Sequence, residues 1–86
     1  MEIKFTDEAL EHLDYFKKQN EQAILKKVRQ LLESISIEPK KGIGKPEQLK
    51  HQYSGYWSRR INREHRLVYI IQDETIIVHS LKGHYN

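Results

Sequence analysis

The sequence predicts an α+β domain, a small antiparallel-rich sheet with two N-terminal helices packed on one face, in the order β-α-α-β-β-β. Three observations carry that expectation. Apolar residues recur at helical spacing between Ile24 and Ile35, the chain after Tyr56 divides into three runs rich in β-branched and aromatic residues, and the opening residues alternate with a period of two. An antiparallel sheet with helices on one side leaves its other face open to solvent or ligand.

The first strand is read from Met1, Ile3 and Phe5 alternating with Glu2 and Lys4. Thr6, followed by Asp7 and Glu8, marks a helix start: the hydroxyl accepts an unpaired backbone N–H and the carboxylates suit the positive helix end. Ala9, Leu10, Leu13 and Phe16 continue that helix to near Lys18, and Asn20 is expected to cap the next one. In the second helix Ile24, Leu25, Val28, Leu31, Leu32 and Ile35 form the apolar stripe, with Lys26, Lys27, Arg29, Gln30 and Glu33 opposite, until Pro39 ends it. Two glycines and Pro46 make the segment from Lys40 to Leu49 a loop. Strands are then expected at Tyr56 to Ile61, Arg66 to Ile71 and Thr75 to Leu81, separated by polar breaks and arranged as a meander.

The chain has 86 residues, 37% of them hydrophobic, and no cysteine. One core accounts for that length, so residues 1–86 are expected to form a single domain. Without cysteine there is no disulfide framework or thiol nucleophile, which fits a reducing cytoplasm. No run approaches the roughly 18 to 20 apolar residues of a membrane span, and the acidic opening is unlike a signal peptide. The net charge of +3 hides segregation: residues 1–38 carry six basic and eight acidic residues, residues 39–66 eight and two, and residues 67–86 one and two. That central basic excess favours a phosphate-bearing partner.

Strand alternation selects which charges converge. Tyr56, Ser58 and Arg60 share one face, and Arg66, Val68 and Ile70 share a face of the next strand, so Arg60 and Arg66 are expected side by side near the loop carrying Lys45, Glu47 and Lys50. Other patterns are weaker. Gly42 to Lys45 resembles the end of a phosphate-binding loop but lacks its first half and has Pro46 in place of Ser or Thr. His79 and His84 have the wrong spacing for a shared metal, so a metal-free mechanism is expected. Trp57 and Tyr69 read as packing residues, His65 as a half-buried imidazole, and His12 and His51 as surface residues.

The run from Gly44 to Tyr69, GKPEQLKHQYSGYWSRRINREHRLVY, together with His84 and Tyr85, resembles the YoeB/Txe toxins of bacterial toxin–antitoxin systems, within the RelE-like superfamily. The resemblance implies a ribosome-dependent endoribonuclease that cuts mRNA in the A site of the ribosome's small subunit. It also implies a homodimer and neutralisation by a YefM-like antitoxin. It places the general base on Glu47, the transition-state arginine on Arg66 and the general acid on His84, with Lys50, Arg60 and Tyr85 in support. Chemistry agrees: metal-free RNA cleavage needs a base for the 2′-hydroxyl, a cation for the phosphorane-like charge and an acid for the leaving 5′-oxygen. Lys45, Lys50, Arg59 and Arg60 would then position phosphates, and Tyr85 would orient the phosphate or stack on a base. No cofactor is implied. The alternative is a non-catalytic RNA- or ribosome-binding module that blocks translation by occupancy through the same basic face.

Overall fold

The computed structural model describes residues 1–83. Strand β1 (Glu2–Phe5) leads into helix α1 (Asp7–Lys18), helix α2 (Gln22–Ile37) and a short edge strand β2 (Glu47–Gln48); a single 3-10 turn (His51–Tyr53) precedes β3 (Tyr56–Arg60), β4 (Arg66–Gln72) and β5 (Thr75–Ser80). The expected β-α-α-β-β-β order holds, with β2 as an additional strand.

Thr6 starts α1 as the sequence predicts. Its hydroxyl accepts the Ala9 N–H at 3.1 Å and donates to the His79 carbonyl at 2.8 Å, so one side chain caps the helix and ties it to β5. Asn20 does something other than cap α2. It sits at φ 56°, its N–H bonds the Lys17 carbonyl, and the Glu21 N–H reaches back to the Phe16 carbonyl, a Schellman closure of α1. Asparagine suits this position because it tolerates the left-handed conformation. The N-cap of α2 is Glu21, which makes no side-chain cap bond.

The five strands run in the order β1-β5-β4-β3-β2. The meander β3, β4, β5 is antiparallel, β2 joins it antiparallel at the β3 edge, and β1 pairs parallel with β5. Both helices cover one face. Ile24, Val28, Leu31 and Ile35 of α2 and Ala9 and Phe16 of α1 pack with Ile61, Leu67, Tyr69, Ile76, Val78 and Leu81 in one cluster. Leu31 is wholly buried, and Leu31→Ala would cost about 2 to 5 kcal/mol in lost burial and cavity. Among the described residues no helix is long and apolar enough to cross a membrane.

The loop between α2 and β2 has its own organising centre in Arg59. That guanidinium donates to the Tyr69 hydroxyl at 3.1 Å, Ser34 Oγ at 2.8 Å, and the carbonyls of Ile43, Glu38 and Lys41 at 3.2, 2.8 and 2.9 Å. These five bonds use its entire donor set. The glycines of the loop are required by the same packing: a Cβ on Gly42 (φ 130°) would run into Ser34 Oγ and the Arg59 guanidinium, and one on Gly44 (φ 82°) would lie 2.6 Å from Leu31.

Candidate active site

Register in the sheet determines which side chains share the face away from the helices. Glu47 stands opposite Ser58, and Arg60 opposite Arg66, so Glu47, Arg60 and Arg66 all belong to that face. Arg60 lies two residues beyond Ser58, about 7 Å along the strand. The Arg60 N–H donates to the Gly44 carbonyl at 2.7 Å, which draws the loop, and Lys45 with it, against the end of β3.

A groove of about 490 Å³ opens there, lined by Lys27, Lys45, Arg60, Arg63 and Arg66 together with Gly44, Ile61 and Asn62. Among the described residues its lining carries five cations and no carboxylate, a charge distribution that attracts polyanions. Its floor is held by the turn between β3 and β4. Asn62 Oδ1 accepts the N–H groups of Glu64 and His65 at 2.9 and 2.8 Å, and Nη1 of Arg66 donates to the carbonyls of Asn62, Arg63 and His65 at 2.7, 3.3 and 3.1 Å. Anchoring through one nitrogen orients a planar fork suited to phosphate oxygens.

The chain returns to this site after β5. The Arg66 N–H donates to the Gly83 carbonyl at 2.8 Å, so Gly83 lies alongside the first residue of β4. His84 and Tyr85, the expected general acid and its neighbour, lie outside the described residues.

The structure thus gathers Lys45, Arg60 and Arg66, with Glu47 on the same face. Lys50 is elsewhere: Leu49 pairs with Tyr56, the first residue of β3, so Lys50 sits at the opposite end of that strand from Arg60. Arg59 is corrected outright. In place of the expected phosphate contact, it is wholly buried on the helix side of the sheet and its donors are consumed by the loop. A substrate phosphate has no access to it.

Two groove residues escape a reading of the sequence. Periodicity puts Lys27 on the exposed side of α2, and it lines the groove together with Gly44, whose position lies against both Leu31 of that helix and Arg60 at the end of β3. Strand alternation puts Arg63 on the helix side, but it lies in the turn after β3, where alternation no longer applies. The basic excess of residues 39–66 is the available signal for Arg63; nothing in the sequence singles out Lys27. His12 is likewise no surface residue: its Nδ1 accepts the N–H groups of Leu81 and Lys82, and burial lowers its pKa below the ordinary 6.5. His65, expected to be half-buried, is buried.

Residues 5–85 match the family model described as the YoeB-like toxin of bacterial type II toxin–antitoxin systems. A relative from Synechocystis, "Toxin YoeB", is 47% identical over 85 residues, covering 99% of this chain and 98% of its own. A YoeB/ParE toxin from Agrobacterium tumefaciens superposes with a TM-score of 0.93 at 31% identity, covering 99% of this chain and 100% of its own. The YoeB dimer from Staphylococcus aureus superposes with a TM-score of 0.88 at 48% identity, covering 99% and 98%, and a heterotetrameric YoeB-YefM toxin-antitoxin complex from the same organism superposes with a TM-score of 0.87.

Proposed function

This chain belongs to the YoeB-like toxins of bacterial type II toxin–antitoxin systems, and from that premise we propose that it is a ribosome-dependent endoribonuclease cutting mRNA in the ribosomal A site. The observation that supports this reading best is the convergence on one sheet face of a carboxylate, Glu47, with the paired arginines Arg60 and Arg66 beside a groove whose charged groups, among the described residues, are all cations.

In the proposed reaction Glu47 removes the proton of a ribose 2′-hydroxyl, and the resulting oxygen forms a bond to the adjacent phosphorus. Arg66, oriented by the turn carbonyls, stabilises the charge that builds on the non-bridging oxygens. The bond to the 5′-oxygen breaks as His84 gives that oxygen a proton, an imidazole being able to donate near neutral pH. The products are a 2′,3′-cyclic phosphate and a 5′-hydroxyl end. Lys45 and Arg60 hold flanking phosphates, joined by Lys27 and Arg63, while Lys50 contacts the nucleic acid further along β3. Tyr85 orients the phosphate or stacks on a base. All the groups invoked are side chains of this chain, and the step is proposed to run without metal.

The Staphylococcus aureus structures support two partners for this chain, a second copy of itself and a YefM-like antitoxin. A cytoplasmic location follows from the proposed substrate. Primer extension on mRNA from cells expressing the chain tests the reading: discrete new 5′ ends within ribosome-bound message are expected, and stalled ribosomes on intact message would instead establish a blocker acting by occupancy.

A further inference from the structure

The segment that leads from β5 to His84 is held by imidazoles. The N–H groups of Leu81 and Lys82 both donate to Nδ1 of His12, at 3.0 and 3.2 Å, and the N–H of Gly83 donates to Nδ1 of His65 at 2.9 Å. Three consecutive backbone donors therefore end on two ring nitrogens, one from α1 and one from the turn before β4. The Gly83 carbonyl accepts from Arg66, and the Lys82 ammonium lies 4.0 Å from the centre of the Tyr15 ring.

A ring nitrogen accepts only while it carries no proton, so both imidazoles hold their hydrogen on Nε2. The surroundings of Nε2 agree. Glu8 Oε2 is 3.8 Å from that atom of His12, and Glu64 Oε1 is 3.7 Å from that of His65. His65 is further fixed by burial and by the Phe16 ring, 5.1 Å away and steeply inclined. The charged groups around His12 are Glu8 and Glu11 of α1, Lys82 and His65; around His65 they are Glu64, Glu21, Lys82 and His12.

We propose that His12 and His65 are positioning residues: as neutral acceptors they clasp Leu81–Gly83 against Arg66 and thereby set where His84 stands relative to the scissile phosphate. The inference rests on the reading of His84 as general acid. A proton added to Nδ1 of His12 would turn an acceptor into a donor facing the Leu81 and Lys82 N–H groups, so that half of the clasp opens in acid.

The test combines residue-resolved amide exchange of the full chain with single-turnover cleavage on mRNA-programmed ribosomes. His12→Leu is expected to accelerate exchange at Leu81 and Lys82 and slow cleavage about 10- to 100-fold with the half-saturating ribosome concentration unchanged. His12→Asn, whose side-chain oxygen accepts the same N–H groups, is expected to restore both. His65→Asn is expected to retain protection of Gly83 for the same reason. A folded His12→Leu chain cleaving within about twofold of the wild type, or His12→Asn failing as badly as His12→Leu, would overturn the proposal. An inactive wild-type chain with protected Leu81 and Lys82 amides would refute the nuclease reading but support the clasp; an active one with unprotected amides would refute the clasp alone.

Discussion

Arg59 and Tyr69 are joined by a buried hydrogen bond of 3.1 Å from the guanidinium Nε to the phenol oxygen, and that phenol in turn donates to the Pro39 carbonyl at 2.6 Å. A cation with no carboxylate partner among the described residues is thus solvated inside the protein by a hydroxyl pair and three carbonyls. The arrangement makes the loop before Glu47 depend on the sheet beneath it.

Tyr69→Phe removes one hydroxyl and strands both the Arg59 Nε–H and the Pro39 carbonyl. A loss of about 1 to 3 kcal/mol is expected, read as a lower urea midpoint with an unchanged slope. Arg59→Lys should be worse, since an ammonium has three donors and no fork to span the loop. An Arg59→Lys chain of wild-type stability with weakened RNA affinity would restore the phosphate-binding role that burial denies it.

Gly42→Ala tests whether the glycine pair is a structural requirement and no remnant of a nucleotide loop. The added Cβ would meet the Arg59 guanidinium at 2.9 Å and carry a φ of 130°. Destabilisation of more than about 1 kcal/mol is expected in a denaturant melt, because the strain and the clash add. A neutral substitution would mean that the loop has freedom the packing does not suggest.

His12 links folding to pH. Burial is the main cause lowering its pKa below 6.5, opposed by Glu8 and Glu11 and assisted by Lys82 and His65. The unfolded chain therefore binds a proton in a range where the folded chain does not, and stability falls as pH drops below 6.5 while remaining flat above it. Denaturation of the wild type and His12→Asn at about pH 7.5 and at pH values below 6.5 measures this. The gap between the two chains should shift below 6.5 and stay constant above; parallel behaviour throughout would contradict the half-buried, unprotonated imidazole.

How much of this is legible in the sequence depends on how local its cause is. Thr6, the α2 stripe and the meander each declare themselves within a few residues, and the Arg60–Arg66 pairing follows from strand alternation alone. Strand β2 has only two residues, too few for a period, and β1 finds its parallel partner across most of the chain. Arg59 misleads because alternation places it correctly on the apolar side while its charge suggests a ligand; only the tertiary loop supplies the five acceptors that let it stay buried. The roles of His12 and Lys27 depend on elements that meet only after folding, and no spacing in the sequence records them.

Arg66 differs from its neighbours in the groove by being tied to the turn. Arg66→Ala is expected to lower the single-turnover rate far more than ribosome affinity, since a contact made in the transition state contributes little to ground-state binding. Lys45→Ala, removing a phosphate contact, is expected to weaken binding with a shallower salt dependence and a smaller effect on rate. The opposite pattern would exchange their roles.

The most direct test of the central claim is cleavage of mRNA on programmed ribosomes in EDTA with analysis of the new ends, comparing the wild type with Glu47→Gln and Arg66→Ala. A single cut within the A-site codon, carrying a 2′,3′-cyclic phosphate and a 5′-hydroxyl and lost in both variants, is the predicted result. Intact message under the wild-type chain, or cutting undiminished by Glu47→Gln, would contradict it.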